Sequence, residues 1–381
     1  MSESHFDVIV AGLGAMGSAA LYHLARAGVK ALGIDRFEPP HTLGSSHGET
    51  RVIREAYYED PVYVPLVQRA YELWADLERE SGETLYVRTG GLMIGLPESD
   101  VVSGALRSAK EHHLPHELLN SAEIQRRFPG LHPEPGMEGV LEPRAGILFP
   151  EKCLAAHLKL AKEAGATIRT NERILDWGFS EQEVRVRTGS GEFHGSKLIL
   201  ACGPWLPGLL EEQAATLPGL NWRIERQILL WFKALEPKLF TPDRFPIYLF
   251  EYEPGKTFYG FPDLGSGVKI AFHHQGETTS PETIDREVRE RDIEKMRGML
   301  RGYLPEANGE FLRGTVCIYT NTPDAHFVVD HHPASQRVIL ASPCSGHGFK
   351  FASVIGEVLA GLAADKKPRV GLKRFSLARF P

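Results

Sequence analysis

The sequence has few cysteines, no excess of basic residues and no long uninterrupted apolar run. Its four cysteines, Cys153, Cys202, Cys317 and Cys344, are scattered without C-x-x-C spacing. This predicts a reducing compartment, with neither a disulfide framework nor a zinc site. Lys and Arg number 43 against 49 Asp and Glu, a net charge of −6, so nucleic acid and anionic membranes are not expected as main partners.

The N-terminus has little that resembles a targeting segment. The leader, Met1 to His5, contains Glu3 and no Lys or Arg, and charged residues and glycines interrupt the apolar stretch after it. It fits neither a signal peptide nor a membrane span, so we expect a soluble cytoplasmic protein. A length of 381 residues exceeds the size of one ordinary hydrophobic core, which predicts two domains.

The stretch from Phe6 to Asp35 contains a complete unit for binding a dinucleotide. Phe6–Ala11 is an apolar run typical of a buried parallel strand. A G-x-G-x-x-G motif follows, with Gly12, Gly14 and Gly17. The first glycine permits the tight turn, the second lets the backbone approach a pyrophosphate, and the third lets the helix pack against the strand. A helical pattern and a strand, Ala31–Ile34, then end at Asp35, which can bind a ribose diol.

A loop rich in Gly, Ser and Pro follows this unit, between residues 39 and 48. Such composition predicts irregular backbone near a ligand. Arg51 and Arg54 come next, on one face if the segment is helical and on opposite faces if it is extended. Their position beside the dinucleotide unit favours roles toward cofactor and substrate over two solvated side chains.

The middle of the chain alternates helices and strands. Val62–Glu80 is predicted as an amphipathic helix, Val87–Ile94 as one strand where the chain leaves the first domain, and Leu106–Arg127 as a surface helix and connector. The three histidines of that connector lack carboxylate or thiolate partners, so a solvated face is predicted there and no metal. A helix begins near Phe149, and Leu198–Ala201 is predicted as another buried parallel strand.

Alternating apolar and aromatic residues predict a second, antiparallel sheet from Trp222–Phe232 and Thr257–His273. In a strand, Lys269 and His273 share one face. The pattern leaves two orientations of Lys269 open, one inward and one toward water. The run Ser345–Lys350 precedes an apolar helical stripe, and such a glycine-flanked helix start stabilises negative charge, including that of a reduced flavin.

Taken together, these motifs resemble the monomeric sarcosine oxidase family, which includes N-methyltryptophan oxidase and related flavin-dependent amine oxidases. The resemblance covers nearly the whole chain and rests on five further runs besides the glycine motif with Asp35. These runs are Ser46–Arg51 with Arg54, Tyr259–Pro262, Lys269–His273, Cys317–Thr320 and Ser345–Lys350.

The resemblance implies an α/β fold, α+β overall, with two domains. A Rossmann-like FAD-binding domain would consist of residues 1–88, 149–218 and 322–381. A catalytic domain with an antiparallel sheet would consist of residues 89–148 and 219–321. FAD would be the cofactor, covalently linked through Cys317. Cys344, a second thiol expected near the flavin, leaves that attachment open.

The resemblance also implies roles for individual residues. Arg54 and Lys350 would bind the substrate carboxylate, and Tyr259, His273 and Tyr319 would line the substrate cavity. Arg51 and Lys269 would be cations beside the flavin, with Lys269 activating oxygen. The cofactor contacts would come from Gly12, Gly14, Gly17, Asp35, Arg36, Ser46, Thr50, Arg51, Cys317, Gly346, His347, Gly348, Phe349 and Lys350.

The leading hypothesis from the sequence is an FAD-dependent oxidase of secondary, N-methylated or cyclic amino acids, which consumes O2 and releases hydrogen peroxide. Its partners would be a small-molecule amine and O2, and the protein would be a monomer without a metal. One alternative is an FAD-dependent amino acid dehydrogenase that passes electrons to another acceptor. Two further alternatives are a flavin-containing assembly subunit without activity and a nicotinamide-dependent dehydrogenase; the latter leaves Cys317 and the C-terminal run unexplained.

Overall fold

The computed structural model describes residues 5–217 and 219–380. The leader residues 1–4, and positions 218 and 381 at the ends of predicted domain segments, lie outside this part of the chain. The strands are β1 His5–Ala11, β2 Ala31–Ile34, β3 Arg51–Ile53, β4 Tyr86–Arg88, β5 Gly91–Gly95, β6 Glu117–Asn120, β7 Glu138–Glu142, β8 Gly146–Leu148, β9 Thr167–Arg169, β10 Ile174–Phe179, β11 Val184–Thr188, β12 Glu192–Leu200, β13 Arg223–Phe232, β14 Ile247–Glu253, β15 Lys256–Phe261, β16 Val268–His273, β17 Phe311–Asn321, β18 Val328–His332 and β19 Ser335–Ser342. The α-helices are α1 Ala15–Arg26, α2 Val64–Ser81, α3 Asp100–Glu111, α4 Ser121–Arg127, α5 Pro150–Glu163, α6 Leu206–Leu209, α7 Glu290–Tyr303 and α8 Ala352–Ala363.

The first large sheet has a parallel centre. Strand β1 lies between β2 and β12, β9 extends the sheet beyond β2, and β19 pairs with β12, all in parallel. The antiparallel strands β10, β11 and β18 complete it. Helix α1 packs against α5 and α8, and apolar side chains of these helices form one core with the sheet. Parallel strands need such helical cover because both of their faces are apolar.

The second large sheet has the order β17-β13-β16-β15-β14-β5-β7-β6 and is antiparallel except for the β14–β5 pair. Helix α7 covers one part of it, where Met296 and Leu300 join a core with Phe250 and Val268. A small third sheet, β3-β8-β4, pairs segments from both predicted domains. The mixed helix and sheet class predicted from the sequence is confirmed by this architecture, whereas the domain boundaries stay a prediction.

Two predicted elements are wrong in detail. The single strand predicted over Val87–Ile94 is two strands, β4 and β5, which belong to different sheets. Gly90 separates them with φ +73°, a left-handed conformation that glycine tolerates without strain. The predicted connector before α4 contains strand β6, which pairs with β7. Its sequence, Glu-Leu-Leu-Asn, has too short an apolar pattern to distinguish a strand from a helix.

Candidate functional site

A single cavity of about 580 Å³ extends from the glycine turn after β1 to the segment before α8. Residues of both large sheets line it, because the loops after β1, β2 and β12 meet strands β13, β15, β16 and β17 of the second sheet there. Most of the residues singled out from the sequence contribute to the lining, namely Gly12, Gly14, Asp35, Arg36, Ser46, Arg51, Arg54, Tyr259, His273, Cys317, Tyr319, Gly346, His347, Gly348, Phe349 and Lys350. Gly17, Thr50 and Lys269 lie behind this lining.

The glycine turn has the clearances that a bound pyrophosphate needs. A Cβ on Gly12, at φ +86°, would lie 2.6 Å from Ala201 O, and one on Gly17 would lie 1.7 Å from Gly12 O. A glycine at position 12 therefore lets the turn pack against the backbone at Ala201, and one at position 17 lets α1 pack against the turn. At Gly14 a Cβ would meet only Ser46 Oγ, at 3.8 Å, so this position is open toward the cavity. An anion can approach the backbone there and the start of α1.

Asp35 braces the same turn. Its carboxylate accepts hydrogen bonds from the N–H of Leu13 at 2.6 Å and of Phe37 at 2.8 Å. Burial raises the pKa of Asp35, although these two donors act in the opposite direction. Next to it, the Arg36 guanidinium stacks on Trp205 and pairs with Glu282 at 3.3 Å, across the cavity entrance. Asp35 thus has a structural role in the turn besides any contact to a ribose.

Lys269 is hydrogen-bonded to the loop of residues 48–50 and is not itself part of the cavity lining. Its ammonium donates to Gly48 O at 2.6 Å and to the carbonyl and hydroxyl oxygens of Thr50, both at 2.9 Å. The side chain points inward, which decides between the two orientations that the sequence left open. A Cβ on Gly48 would lie 3.7 Å from Lys269 Nζ and 3.6 Å from Arg51 Nη1. Burial, with the charge of Arg51, lowers the pKa of Lys269 well below its ordinary value.

Arg51 brings its charge to a cysteine in the cavity wall. One guanidinium nitrogen lies 3.6 Å from Cys317 Sγ and 2.9 Å from Ser45 O, and the other lies 2.8 Å from Thr50 O. Cys202 and Cys344 also line the cavity. Burial raises the pKa of Cys344 to about 11, which disfavours its thiolate. Of the cavity thiols, Cys317 is the one with a hydrogen-bonded cation.

A second pair of cations, Arg54 and Lys350, lies at the far end of the cavity. Although Arg51–Ile53 is extended, the chain turns after β3, so Arg51 and Arg54 both reach the cavity. Arg54 Nη2 donates to both carboxylate oxygens of Glu59, at 2.9 and 2.7 Å. Burial opposes ionisation of Glu59, but Arg54 and other cations outweigh it and lower the pKa of Glu59. Glu59 is not among the residues predicted from the sequence. Its position five residues after Arg54, in a short loop, was the feature that could have indicated this ion pair.

Lys350 is buried beside His347, whose imidazole is hydrogen-bonded to the segments that contain Tyr57 and Ala325. Its ammonium donates to His347 O at 2.7 Å, and burial lowers its pKa to about 7, with the charge of Arg54 acting in the same direction. His347 is hydrogen-bonded through Nδ1 to the Tyr57 hydroxyl and through Nε2 to Ala325 O. The charge of Lys350 is therefore poised to change near neutral pH.

Three side chains from strands of the second large sheet form an aromatic wall between the two cation pairs. Tyr259, His273 and Tyr319 lie on β15, β16 and β17, and His273 Nδ1 is 3.2 Å from Tyr319 OH. Burial lowers the pKa of His273 well below its ordinary value and raises those of both tyrosines. The aromatic wall is consequently uncharged near neutral pH.

The segment before α8 closes the cavity with its backbone. Gly346 has φ +77°, and a Cβ there would lie 2.6 Å from the Tyr319 ring. A 3-10 turn, Phe349–Phe351, then leads into α8, and two of its residues, Phe349 and Lys350, belong to the lining. The N–H of Ala352, the first residue of α8, is bonded to Phe349 O, so the N–H groups that can favour negative charge are those at the start of the turn. Thr320 Oγ1, buried and without a partner, also belongs to a residue of this lining.

The described residues contain no group of three or more His, Cys, Asp or Glu that could hold a metal ion. Over the same ranges, none of the helices combines the length and apolarity that a membrane span requires. The cavity has an anion-binding turn at one end, a cation-paired cysteine in the middle and two buried cations at the other.

Comparison with known proteins gives the same picture. A family model described as FAD dependent oxidoreductase matches residues 7–362. Monomeric sarcosine oxidase of Streptomyces avermitilis is 42% identical over 365 residues, which cover 94% of this chain and 93% of that protein. N-methyl-L-tryptophan oxidase of Salmonella heidelberg is 34% identical over 377 residues, 98% of this chain and 99% of that protein. The open form of NikD, an unusual amino acid oxidase essential for nikkomycin biosynthesis, has the same fold, with a TM-score of 0.83, 24% identity and coverage of 98% and 97%.

Proposed function

From the premise that this chain belongs to the family of FAD-dependent oxidoreductases, we propose that it oxidises N-methylated or cyclic secondary amino acids with O2. The amine loses two electrons and two protons to become an imine, and O2 takes them up as H2O2. Water then hydrolyses the imine. The relatives that match over nearly the whole chain are named as sarcosine and N-methyl-L-tryptophan oxidases, which supports both the amine class and oxygen as acceptor.

One observation carries the substrate class: two buried cations, Arg54 and Lys350, at the end of a cavity with an uncharged aromatic wall. A guanidinium and an ammonium can together bind an α-carboxylate. The same cations oppose a third positive charge, so they favour the neutral form of the substrate amine. Tyr259, His273 and Tyr319 would exclude water from the amine and fix its orientation.

The lining fits FAD, because Gly14 is open, Thr320 Oγ1 lacks a partner and the 3-10 turn that leads into α8 begins at the cavity. When bound, FAD supplies the two-electron chemistry between the amine carbon and oxygen. The turn with Gly12, Gly14 and Gly17, together with Asp35, Arg36 and Ser46, would hold the dinucleotide. The segment 346–350 and Arg51 would stabilise negative charge at the reacting end.

Release of hydrogen peroxide is the test of this function. Sarcosine, N-methyl-L-tryptophan and a cyclic amino acid should each be compared with the corresponding primary amino acid, and peroxide formed should equal O2 consumed. The alternative, a dehydrogenase, would oxidise the same amines with an artificial electron acceptor but would consume no O2. Oxidation of primary amino acids alone would contradict the proposed substrate class.

We expect Cys317→Ser to abolish covalent attachment of the flavin. Arg51 Nη2 lies 3.6 Å from Cys317 Sγ, and this contact with a cation favours Cys317 as the side chain that would hold the flavin. Acid precipitation of wild-type protein should leave the yellow colour in the pellet, whereas the Cys317→Ser variant should release it to the supernatant. Cys344→Ser is the matched control and should retain the flavin in the pellet. Release from the Cys344 variant alone would reassign the attachment.

The remaining expectations from the sequence belong to the same proposal. Residues 1–88, 149–218 and 322–381 would form the FAD-binding domain and the others the catalytic domain. Every strand of the first large sheet falls in the former set and every strand of the second in the latter, which supports the division. The protein would act as a cytoplasmic monomer whose partners are a small-molecule amine and O2.

A further inference from the structure

The carboxylate of Glu142, at the end of β7, is buried behind the Arg54 segment and is not part of the cavity lining. It accepts the N–H of Glu55 at 2.8 Å on one oxygen and 3.0 Å on the other, and the N–H of Ala56 at 2.8 Å. These two amides follow Arg54 directly. A carboxylate that binds consecutive amides fixes the orientation of the peptide between them.

The peptide that Glu142 binds also holds the guanidinium of Arg54. Arg54 Nη1 donates to Ala56 O at 3.0 Å, so the backbone bound by Glu142 supplies an acceptor for the side chain. The next residue, Tyr57, contacts the other cation, since its hydroxyl lies 3.5 Å from Lys350 Nζ. Glu55 is anchored separately, by an ion pair with Arg144 at 2.7 Å. Arg54 and Lys350 therefore both contact one short segment that is bound by one buried acid.

We propose that Glu142 is a positioning residue for substrate binding, which fixes residues 55–57 so that Arg54 and Lys350 meet one carboxylate group. This inference rests on the proposed function, because it assigns the two cations to the substrate carboxylate. Glu142 itself contacts neither the substrate nor the flavin site.

The experiment measures binding of acetate to the purified holoenzyme by calorimetry, with acetamide as the neutral isostere. Glu142→Gln keeps the shape but replaces one acceptor oxygen by an NH2 donor that faces a backbone N–H, so acetate should bind about tenfold more weakly while acetamide binding stays unchanged. With the amine substrate, the KM should rise by a similar factor and kcat should change little.

Glu78→Gln is the matched control. The Glu78 carboxylate also accepts two consecutive N–H groups, those of Leu85 and Tyr86, but neither of these residues nor their neighbours line the cavity. It should lower thermal stability without a change in acetate affinity. If Glu142→Gln does not give folded holoenzyme, Glu142→Asp, which keeps the charge but has a shorter reach, should weaken acetate binding in the same direction.

The pH dependence of acetate binding separates positioning from a merely structural role. Burial raises the pKa of Glu142 to about 7, so its ionised form holds the amides above that pH and is lost below it. Burial lowers the pKa of Lys350 to about 7, so its charge is gained below that pH. The groups around Glu142 that also carry or can carry charge are Arg54, Glu55, Tyr71, Tyr86 and Arg144.

The two titrations act on acetate affinity in opposite directions. In the wild-type protein they should largely cancel, whereas in Glu142→Gln acetate should bind more tightly as the pH falls through about 7, where Lys350 gains its proton. Unchanged acetate affinity in Glu142→Gln, an equal loss for acetate and acetamide, or a pH profile parallel to wild type would each overturn the role of Glu142.

A parallel measurement on Arg54→Ala distinguishes this inference from its premise. If Arg54→Ala weakens acetate binding and Glu142→Gln does not, only the positioning role fails. If Arg54→Ala binds acetate as the wild type does, the carboxylate site of the proposed function fails, and the role of Glu142 fails with it.

Discussion

Lys269→Met should slow the reaction of the reduced enzyme with oxygen about a hundredfold or more, the scale on which one preorganised charge stabilises a transition state. Negative charge develops on oxygen when it receives its first electron. Lys269 is buried, and its ammonium and the guanidinium of Arg51 both approach the Cβ position of Gly48, at 3.7 and 3.6 Å. The side chain lies behind the lining, but a low dielectric strengthens the attraction between its charge and the negative charge that develops on oxygen. Stopped-flow mixing of anaerobically reduced protein with oxygen measures the rate.

The wild-type protein should show a matching pH dependence. Because burial and Arg51 lower the pKa of Lys269, its charge is lost as the pH rises through a value well below that of a free lysine. The rate of the oxygen reaction should fall over the same range, and Lys269→Met should not show this fall. Reduction by substrate should slow less than reoxidation.

Methionine also removes a donor from three buried oxygens of Gly48 and Thr50. A loss of roughly 1–3 kcal/mol of unfolding free energy is therefore expected. Lys269→Gln is the control, since it keeps a donor without the charge. If the glutamine variant reacts with oxygen at the wild-type rate, the hydrogen bonds matter and the charge does not. If reduction by substrate collapses in Lys269→Met while reoxidation is unchanged, Lys269 acts on the substrate instead.

Arg54→Ala should raise the KM for a carboxylate-bearing amine by about a hundredfold, because a charged hydrogen bond is worth roughly 1.5–3 kcal/mol and the ion pair with Glu59 is lost as well. Glu59, whose side chain is 15% exposed, would remain beside the cavity as an unpaired carboxylate. Its charge would repel the substrate carboxylate. An analogue amine without the carboxylate should be affected far less, and the comparison of the two KM values measures the effect.

The double variant Arg54→Ala/Glu59→Gln separates these two contributions. Removal of the Glu59 charge should restore part of the affinity, because only the repulsion is relieved. Lys350→Met is the matched variant for the second cation and should also raise the KM selectively for the carboxylate amine. Equal losses for both amines in the Arg54 and Lys350 variants would rule out a carboxylate site at these residues.

Local elements, and sixteen residues that line the cavity, were predictable from the sequence alone. Short-range periodicity predicted the two strands at Phe6–Ala11 and Ala31–Ile34 and the helix between them. The turn between the first strand and the helix was predicted from glycines, which adopt conformations that other residues adopt only with strain. The alternation over Val268–His273 specified a strand, and its period of two placed Lys269 and His273 on one face. Each of these features depends on residues that are close to one another in the chain, so it can be predicted from the order of the amino acids.

Only the tertiary structure decided which groups meet across long separations. Lys269 reaches Gly48 and Thr50, more than two hundred positions earlier in the chain, and Glu142 reaches Glu55. The pairing of Arg54 with Glu59 depends on a turn after β3, and the sequence has no periodic pattern that predicts this turn. Each contact joins a charge to partners whose approach is set by the packing of separate sheets. Burial then changes the pKa of these charges, and burial is a property of the folded chain that local sequence does not contain.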